Sequence, residues 1–262
     1  MTRPVIRIIH HLGRTGGTLI SRCVGCMRHV DLLSEIHPSG RYIQPQFGPL
    51  WQANKWFGLV TPEDIAAVRC NPKMDFADAI VLISRRCAER NHVLVLRDWT
   101  HLDFIGVPFC VPSFRLTTAE ALRGRFDVIQ TTTVRHPVDQ WLSIYTQSDW
   151  QERLSLEDFL HGYRLFAEEC VKIGFMRFED FVSSPADRMR ELCARLSIDY
   201  DHEFLDRWSD YKLITGATGK AMHRKKISAL PRKHISPDIL EKFERNPEYL
   251  QSLVLLGYSH PA

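Results

Sequence analysis

The loop Gly13-Arg14-Thr15-Gly16-Gly17-Thr18 carries the clearest chemistry in this chain. It follows a short apolar run, Val5 to Ile9, and opens a stretch that reads as a helix, Thr18 to Val30. Amides at a helix N-terminus lack intrahelical partners, and the helix dipole favours an anion in front of them. Glycines let a phosphate come close to the backbone. Arg14 adds a permanent cation with a planar fork of donors, and Thr15 and Thr18 add hydroxyls. The loop, with Leu19 directly behind it, is expected to hold a phosphate. The alternative is a tight turn with no ligand. The loop is not a Walker A segment, because the lysine followed by serine or threonine is missing, which argues against an ordinary ATP or GTP enzyme.

A second constellation is Arg135-His136-Pro137-Val138-Asp139-Gln140-Trp141-Leu142-Ser143. It starts where Val128 to Val134, a threonine- and valine-rich run that reads as a strand, ends and enters a helix at Pro137, a first-turn proline. A strand–turn–helix can turn both Arg135 and Ser143 into one pocket, and an arginine with a hydroxyl is a good anion clamp. The competing expectation is a structural salt bridge between Arg135 and Asp139. Taken together, the two sites suit a ligand with two separate phosphate groups.

The elements that must position these residues follow from periodicity. His92 to Leu96 and Val171 to Phe178 read as two more strands. Helices are marked by Phe76, Ile80, Ile83 and Cys87, and by Leu156, Phe159, Leu160 and Phe166. Another runs through Met189, Leu192, Cys193 and Leu196, with Ser184 as N-cap and Pro185 opening it. Strands alternating with helices imply an α/β fold of three layers, a mostly parallel central sheet flanked by helices. Ligands of such sheets bind at the carboxyl ends of the strands. The 262 residues fit one domain. From Lys212 to His234 the pattern breaks into a basic stretch with Lys212, Lys220, Arg224, Lys225, Lys226, Arg232 and Lys233. It reads as a loop over the site or as solvated surface.

Bulk properties narrow the function classes. A net charge of +3, from 34 basic and 31 acidic residues, is far from that of a dedicated nucleic-acid binder. The hydrophobic fraction of 44% supports a substantial core. Seven cysteines show no metal-ligand rhythm, and Cys23 with Cys26 is a lone C-x-x-C, so free thiols in a reducing compartment and no metal are expected. No apolar run suits a membrane span or a signal peptide, and the expected location is the cytoplasm.

On its motifs the chain resembles the PAPS-dependent sulfotransferases, PAPS being 3′-phosphoadenosine-5′-phosphosulfate, and within them the carbohydrate-type and bacterial branches. Arg14-Thr15-Gly16-Gly17-Thr18 is similar to the family's first loop, [KR]-[ST]-G-[ST]-[ST]. Arg135, Pro137 and Ser143 match its R-x-P-x-x-x-x-x-S segment in spacing. Phe178-Glu179-Asp180-Phe181, followed by Ser184-Pro185, looks like its Y-E-D-L landmark. The resemblance implies a P-loop NTPase-like sulfotransferase fold, PAPS as co-substrate, 3′,5′-adenosine bisphosphate as product, and no metal. It implies that the first loop grips the 5′-phosphosulfate and that Arg135 and Ser143 bind the 3′-phosphate. Thr218-Gly219-Lys220 resembles the S-G-R of bacterial relatives, which adds Lys220 and Arg224 to the 3′-phosphate set. Gly17 departs from the family, which has a hydroxyl residue there, and the R-K-G motif of cytosolic members is absent.

Sulfuryl transfer needs a base for the acceptor proton. Glu35, in Leu32-Leu33-Ser34-Glu35-Ile36-His37-Pro38 just after the first helix, ranks first, because carbohydrate-type and bacterial relatives look similar there. His101 ranks next, with Asp98 as its orienter, in Arg97-Asp98-Trp99-Thr100-His101 after the second strand. Cytosolic relatives place a catalytic histidine at that point. A surface glutamate and a structural His–Asp pair are the plain alternatives. His10 and His11 read as packing or polar lining. Trp51, Trp56, Phe57, Trp99, Phe104 and Phe109 could form an acceptor pocket, but core is the preferred expectation. The expected acceptor is a hydroxyl or amine of a small molecule or carbohydrate, with no nucleic-acid partner and a homodimer allowed. Rival expectations are a kinase with a divergent phosphate loop, a non-catalytic nucleotide binder, and an RNA binder using the basic stretch, the last without an aromatic platform to support it.

Overall fold

The computed structural model describes residues 3–71, 75–145, 150, 152–216, 225–229 and 231–261. Its centre is an all-parallel sheet of β1 (Val5–His10), β2 (Val30–Ile36), β3 (Val93–Asp98), β4 (Asp127–Val134) and β5 (Phe175–Arg177), in the order β2-β3-β1-β4-β5. Between β1 and β2 lies α1 (Gly17–Gly25). Among the described residues, four α-helices and the 3-10 turn Pro45–Phe47 separate β2 from β3: α2 (Gly40–Ile43), α3 (Pro49–Lys55), α4 (Pro62–Cys70) and α5 (Phe76–Ala88). Then come α6 (His101–Phe104) and α7 (Thr117–Leu122) before β4, and α8 (Pro137–Ile144) and α9 (Leu156–Ile173) before β5. The chain ends through α10 (Phe178–Ser183), α11 (Pro185–Leu196), α12 (Phe204–Arg207), α13 (Pro237–Glu244) and α14 (Pro247–Leu256).

Alternation along the strands splits the core into two clusters. Ile8, Leu33, Leu94 and Leu96 face one side, with Phe104, Trp141, Phe159 and Phe166. Ile9, Leu32 and Val95 face the other, with Ile20, Cys23, Met189, Leu192 and Trp208. Both faces are covered, so the strands read as near-continuous apolar runs. Each fully buried large apolar side chain stabilises the fold by roughly 1.5–3 kcal/mol. The α9 helix approaches α6 so closely that a methyl on Gly162 would collide with the Phe104 carbonyl. Helix starts are set by local capping. Thr61 with Asp64 and Asp75 with Asp78 form reciprocal boxes, and Ser155 accepts from the Asp158 amide.

Two expectations are corrected. The first helix stops at Gly25, not Val30, and Val30–Ile36 is an edge strand, so Glu35 lies within a strand rather than just after a helix. Val171 to Ile173 belong to the last turn of α9, and the following strand starts only after Gly174, whose φ of 97° breaks the helix. Among the described residues no helix is long and apolar enough to cross a membrane.

Candidate active site at the sheet's switch point

The chain leaves β1 toward β2 on one side of the sheet and leaves β4 toward β5 on the other. The neighbouring strands β1 and β4 therefore flank the topological switch point, where such sheets open a crevice. Arg14 follows β1 and Arg135 follows β4, so both expected anion sites fall on this crevice.

The loop after β1 alternates into left-handed backbone at Arg14 (φ 69°) and Gly16 (φ 86°), a pattern that turns successive amides toward one concavity. Side chains brace the loop from below. Thr15 is buried and donates to the Leu12 carbonyl at 2.8 Å, so its proton serves the turn and not a ligand. The amide of Leu19 already donates to the Gly16 carbonyl, and its side chain is in the core. Thr18 Oγ1 accepts from Arg97 at 3.1 Å and keeps its own proton to donate. A methyl at Gly16 would strike the Phe178 ring, and one at Gly17 the His11 ring. The departure at Gly17 thus has a cause: an imidazole occupies the space a hydroxyl residue would need.

The second constellation locks onto the first. Arg135 Nη1 donates to the Arg14 carbonyl at 3.3 Å, and Arg14 Nε donates to Ser143 Oγ at 3.0 Å. Gln140 Nε2 donates to the Gly13 carbonyl at 2.8 Å. Arg135 lies over the Phe178 ring, 5.6 Å from its centroid. The expected pair between Arg135 and Asp139 does not form, because Arg232 grips Asp139 with two bonds of 2.8 and 3.0 Å. Among the described residues no carboxylate lies within ion-pair range of Arg14 or Arg135. Burial and the nearby Arg135 push the Arg14 pKa down, and burial, Arg14 and Arg135 push the Lys233 pKa down. Three cations thus share one field, the arrangement that a polyanion stabilises.

The candidate bases are placed differently from one another. Glu35 sits at a bulge between Ser34 and Ile36 with φ 54°, its side chain 15% exposed and paired to Arg97 at 3.3 Å. His101 is buried, stacks under Trp150 with centroids 4.5 Å apart, and bonds the Val107 carbonyl through Nε2 at 2.7 Å. Its Nδ1 has no hydrogen-bond partner among the described residues and faces Gly13, and burial pushes its pKa down to about 4. Asp98 does not orient His101. It is fully buried against His10 Nδ1 at 2.7 Å, Thr100 Oγ1 at 2.7 Å and Thr118 Oγ1 at 2.5 Å. Those three bonds fix the carboxylate and leave it a structural anchor of the β3 end.

Of the aromatic set, Trp99 and Phe104 are core, as expected, whereas Phe109 is 41% exposed and packs edge-on to Trp99. Trp51, Trp56 and Phe57 are half-buried in an edge-on chain with one another. Lys220 and Arg224 lie outside the described residues. All seven cysteines are free, and among the described residues no His, Cys, Asp or Glu group is gathered to hold a metal.

Three participants were given no role by the motifs, Arg97, Gln140 and Phe178, and His11 was expected only as packing or polar lining. Arg97 and His11 form the floor behind the loop, Gln140 ties α8 to it, and Phe178 supports both Gly16 and Arg135. Phe178 and Gln140 stood inside quoted motifs, but their type alone did not reveal a role. Arg97, an arginine in an apolar run, was the available signal, since a buried arginine must find partners.

No family model and no curated protein matches the chain. Solved structures do. A sulfotransferase domain from the curacin biosynthetic pathway has a TM-score of 0.63 at 16% identity, covering 100% of both chains. The sulfotransferase domain of the Synechococcus PCC 7002 olefin synthase has a TM-score of 0.61 at 16% identity, covering 100% of this chain and 98% of that one. The mouse sulfotransferase SULT7A1 complexed with PAP has a TM-score of 0.50 at 11% identity, covering 98% and 89%. With its parallel sheet ordered 2-3-1-4-5 and a glycine loop at the switch point, this chain has the sulfotransferase fold.

Proposed function

We propose that this protein transfers a sulfuryl group from PAPS to a hydroxyl or amine of a small-molecule or carbohydrate acceptor. The observation that carries the reading is the meeting of Arg14 and Arg135 at one crevice with Asp139 diverted to Arg232. A nucleotide with phosphates at both 3′ and 5′ positions answers two adjacent cations better than a single phosphate does. The sulfotransferase fold of the chain and a mouse neighbour solved with PAP support the same ligand.

The residues fit that ligand chemically. Glycines at 16 and 17 let the 5′-phosphosulfate approach the loop amides, and Arg14 faces charge building on the bridging oxygen. Arg135, with Lys233 beside it, is assigned to the 3′-phosphate. In the transfer, the acceptor oxygen bonds to sulfur as the bond between sulfur and the 5′-phosphate oxygen breaks. The electron pair stays on the leaving bisphosphate, and the acceptor proton passes to Glu35. Glu35 is preferred over His101 because its carboxylate is partly exposed and shares the Arg97 guanidinium with Thr18 of the phosphate loop, whereas the imidazole is buried and stacked on Trp150.

Thermal shift with 3′,5′-adenosine bisphosphate, against ATP with magnesium and against RNA, tests the ligand. Stabilisation by the bisphosphate alone is expected, and a shift only with ATP and magnesium would favour a kinase. Transfer of labelled sulfate from PAPS to a panel of simple alcohols and amines then separates an enzyme from a nucleotide sensor.

A further inference from the structure

Arg97 has five N–H donors, and the structure gives each an acceptor. Nε donates to His11 Nε2 at 2.8 Å. Nη1 donates to Ser34 Oγ at 3.1 Å and to the Thr215 carbonyl at 2.9 Å. Nη2 donates to Thr18 Oγ1 at 3.1 Å and to Glu35 Oε1 at 3.3 Å. These acceptors come from the loop after β1, from β2, from α1 and from the segment after α12. The side chain is 5% exposed.

Stability alone does not account for such a residue. Burying a guanidinium costs several kcal/mol, only one of its five acceptors carries a charge, and apolar packing of equal volume is often as stable. The surroundings are also shaped to keep it. Gly17 lacks a side chain where the His11 ring stands, and Glu35 holds a left-handed backbone, which costs about 1–2 kcal/mol for a residue with a Cβ. A methyl at Gly216 would stand 2.7 Å from Glu35 Oε1, so the segment carrying Thr215 closes against that carboxylate.

We propose that Arg97 is the positioning residue of this site, holding the Glu35 carboxylate and the Thr18 hydroxyl at a fixed separation so that the base and the phosphate loop stay in register. The proposal rests on the sulfuryl-transfer reading above. Arg97 touches neither reactant. It acts by aiming Glu35 from one Nη2 hydrogen and Thr18 from the other. Lysine retains the charge but has three donors on one nitrogen in place of five on a planar fork, so it cannot hold Glu35 and Thr18 in that geometry while keeping the bonds to His11, Ser34 and Thr215.

A double-mutant cycle tests this, using PAPS and the best alcohol of the panel. Arg97→Lys and Glu35→Gln are each expected to lower kcat by roughly 10²-fold or more, the usual range for losing a base. The double variant is expected to be no slower than the slower single, because both changes remove the same function. Losses that multiply in the double variant would overturn the proposal, as would native kcat in either single variant. A purely structural role would lower the melting temperature while sparing kcat per folded molecule. If Arg97→Lys does not melt cooperatively, Ser34→Ala enters the same cycle, since it removes one anchor of the guanidinium and leaves its charge paired. No transfer by the native chain would fail the functional reading itself. Transfer by the native chain with a multiplicative cycle would fail this inference alone.

Discussion

Arg135 hands a hydrogen bond to the main-chain carbonyl of Arg14 across 3.3 Å, joining the ends of two neighbouring parallel strands. Two like charges are thereby fixed side by side while Asp139, the counter-ion that the sequence offered to Arg135, is held by Arg232. A folded protein keeps such repulsion when a ligand relieves it.

Arg14→Ala should cut sulfuryl transfer by about 10²- to 10³-fold, the usual loss when one donor to developing charge is removed. Its side chain bonds Ser143 at the crevice and is exposed on its outer face, so the melting temperature should barely move. Transfer kinetics beside a thermal melt check both halves of this expectation, and near-native turnover would remove Arg14 from the mechanism.

Gly17→Ala should abolish nucleotide binding through His11. The added methyl has no room beside a ring that Arg97 holds in place, so the loop must shift. Gly17→Ala combined with His11→Ala should recover part of the affinity, measurable by calorimetry with 3′,5′-adenosine bisphosphate. No recovery would place the fault elsewhere.

Asp139→Asn offers a test of sign. By charge alone, removing an anion near a phosphate site tightens binding. Asp139 also anchors Arg232, and Arg232 places Lys233, whose ammonium bonds the Leu142 carbonyl at 3.2 Å within the field of Arg14 and Arg135. Affinity for the bisphosphate should therefore weaken, by about three- to tenfold for the misplacement of one charged contact. Tighter binding would show that the Arg232–Asp139 pair does not organise the site.

Acid should destabilise the protein well before its carboxylates titrate. Burial pushes His101 from 6.5 down to about 4, and His11 and His136 are lowered as well, His11 by burial, Arg97 and His10, and His136 mainly by burial. Between those two values the unfolded chain binds protons that the folded chain refuses, so stability falls as pH drops through that window. His101 alone accounts for roughly 3 kcal/mol of that loss. Thermal melts from pH 7 to pH 4 should show the decline, and His101→Gln should flatten it. An unchanged slope in that variant would mean that His101 is not buried neutral.

Much of this architecture was legible because strong local signals coincided. Val5–His10, the glycine turn and a helix face, and Val128 onward ending at Arg135 with Pro137, each combine strand, breaker and helix start within a few residues. The edge strand β2 escaped notice because Cys23, Val24, Met27 and Val30 continue a helical spacing past Gly25, and because Asp31, Ser34 and Glu35 interrupt its apolar run. Those polar residues are the ones that meet His92 and Arg97 across the sheet, a tertiary reason that no single-segment pattern contains. The site was half legible for the same reason. The charged candidates Arg14 and Arg135 announce themselves by type, whereas Phe178, Gln140 and His11 act through what they pack against.

Arg14 and Arg135 are proposed to serve one doubly phosphorylated nucleoside. Calorimetry of the native protein, Arg14→Ala and Arg135→Ala with 3′,5′-adenosine bisphosphate, 5′-AMP and 3′-AMP addresses it directly. The native protein should bind the bisphosphate at least about tenfold more tightly than either monophosphate, as expected when a second charge-assisted contact is gained. Arg135→Ala should erase the advantage over 5′-AMP, and Arg14→Ala the advantage over 3′-AMP. Equal affinity of the native protein for all three ligands would contradict the account.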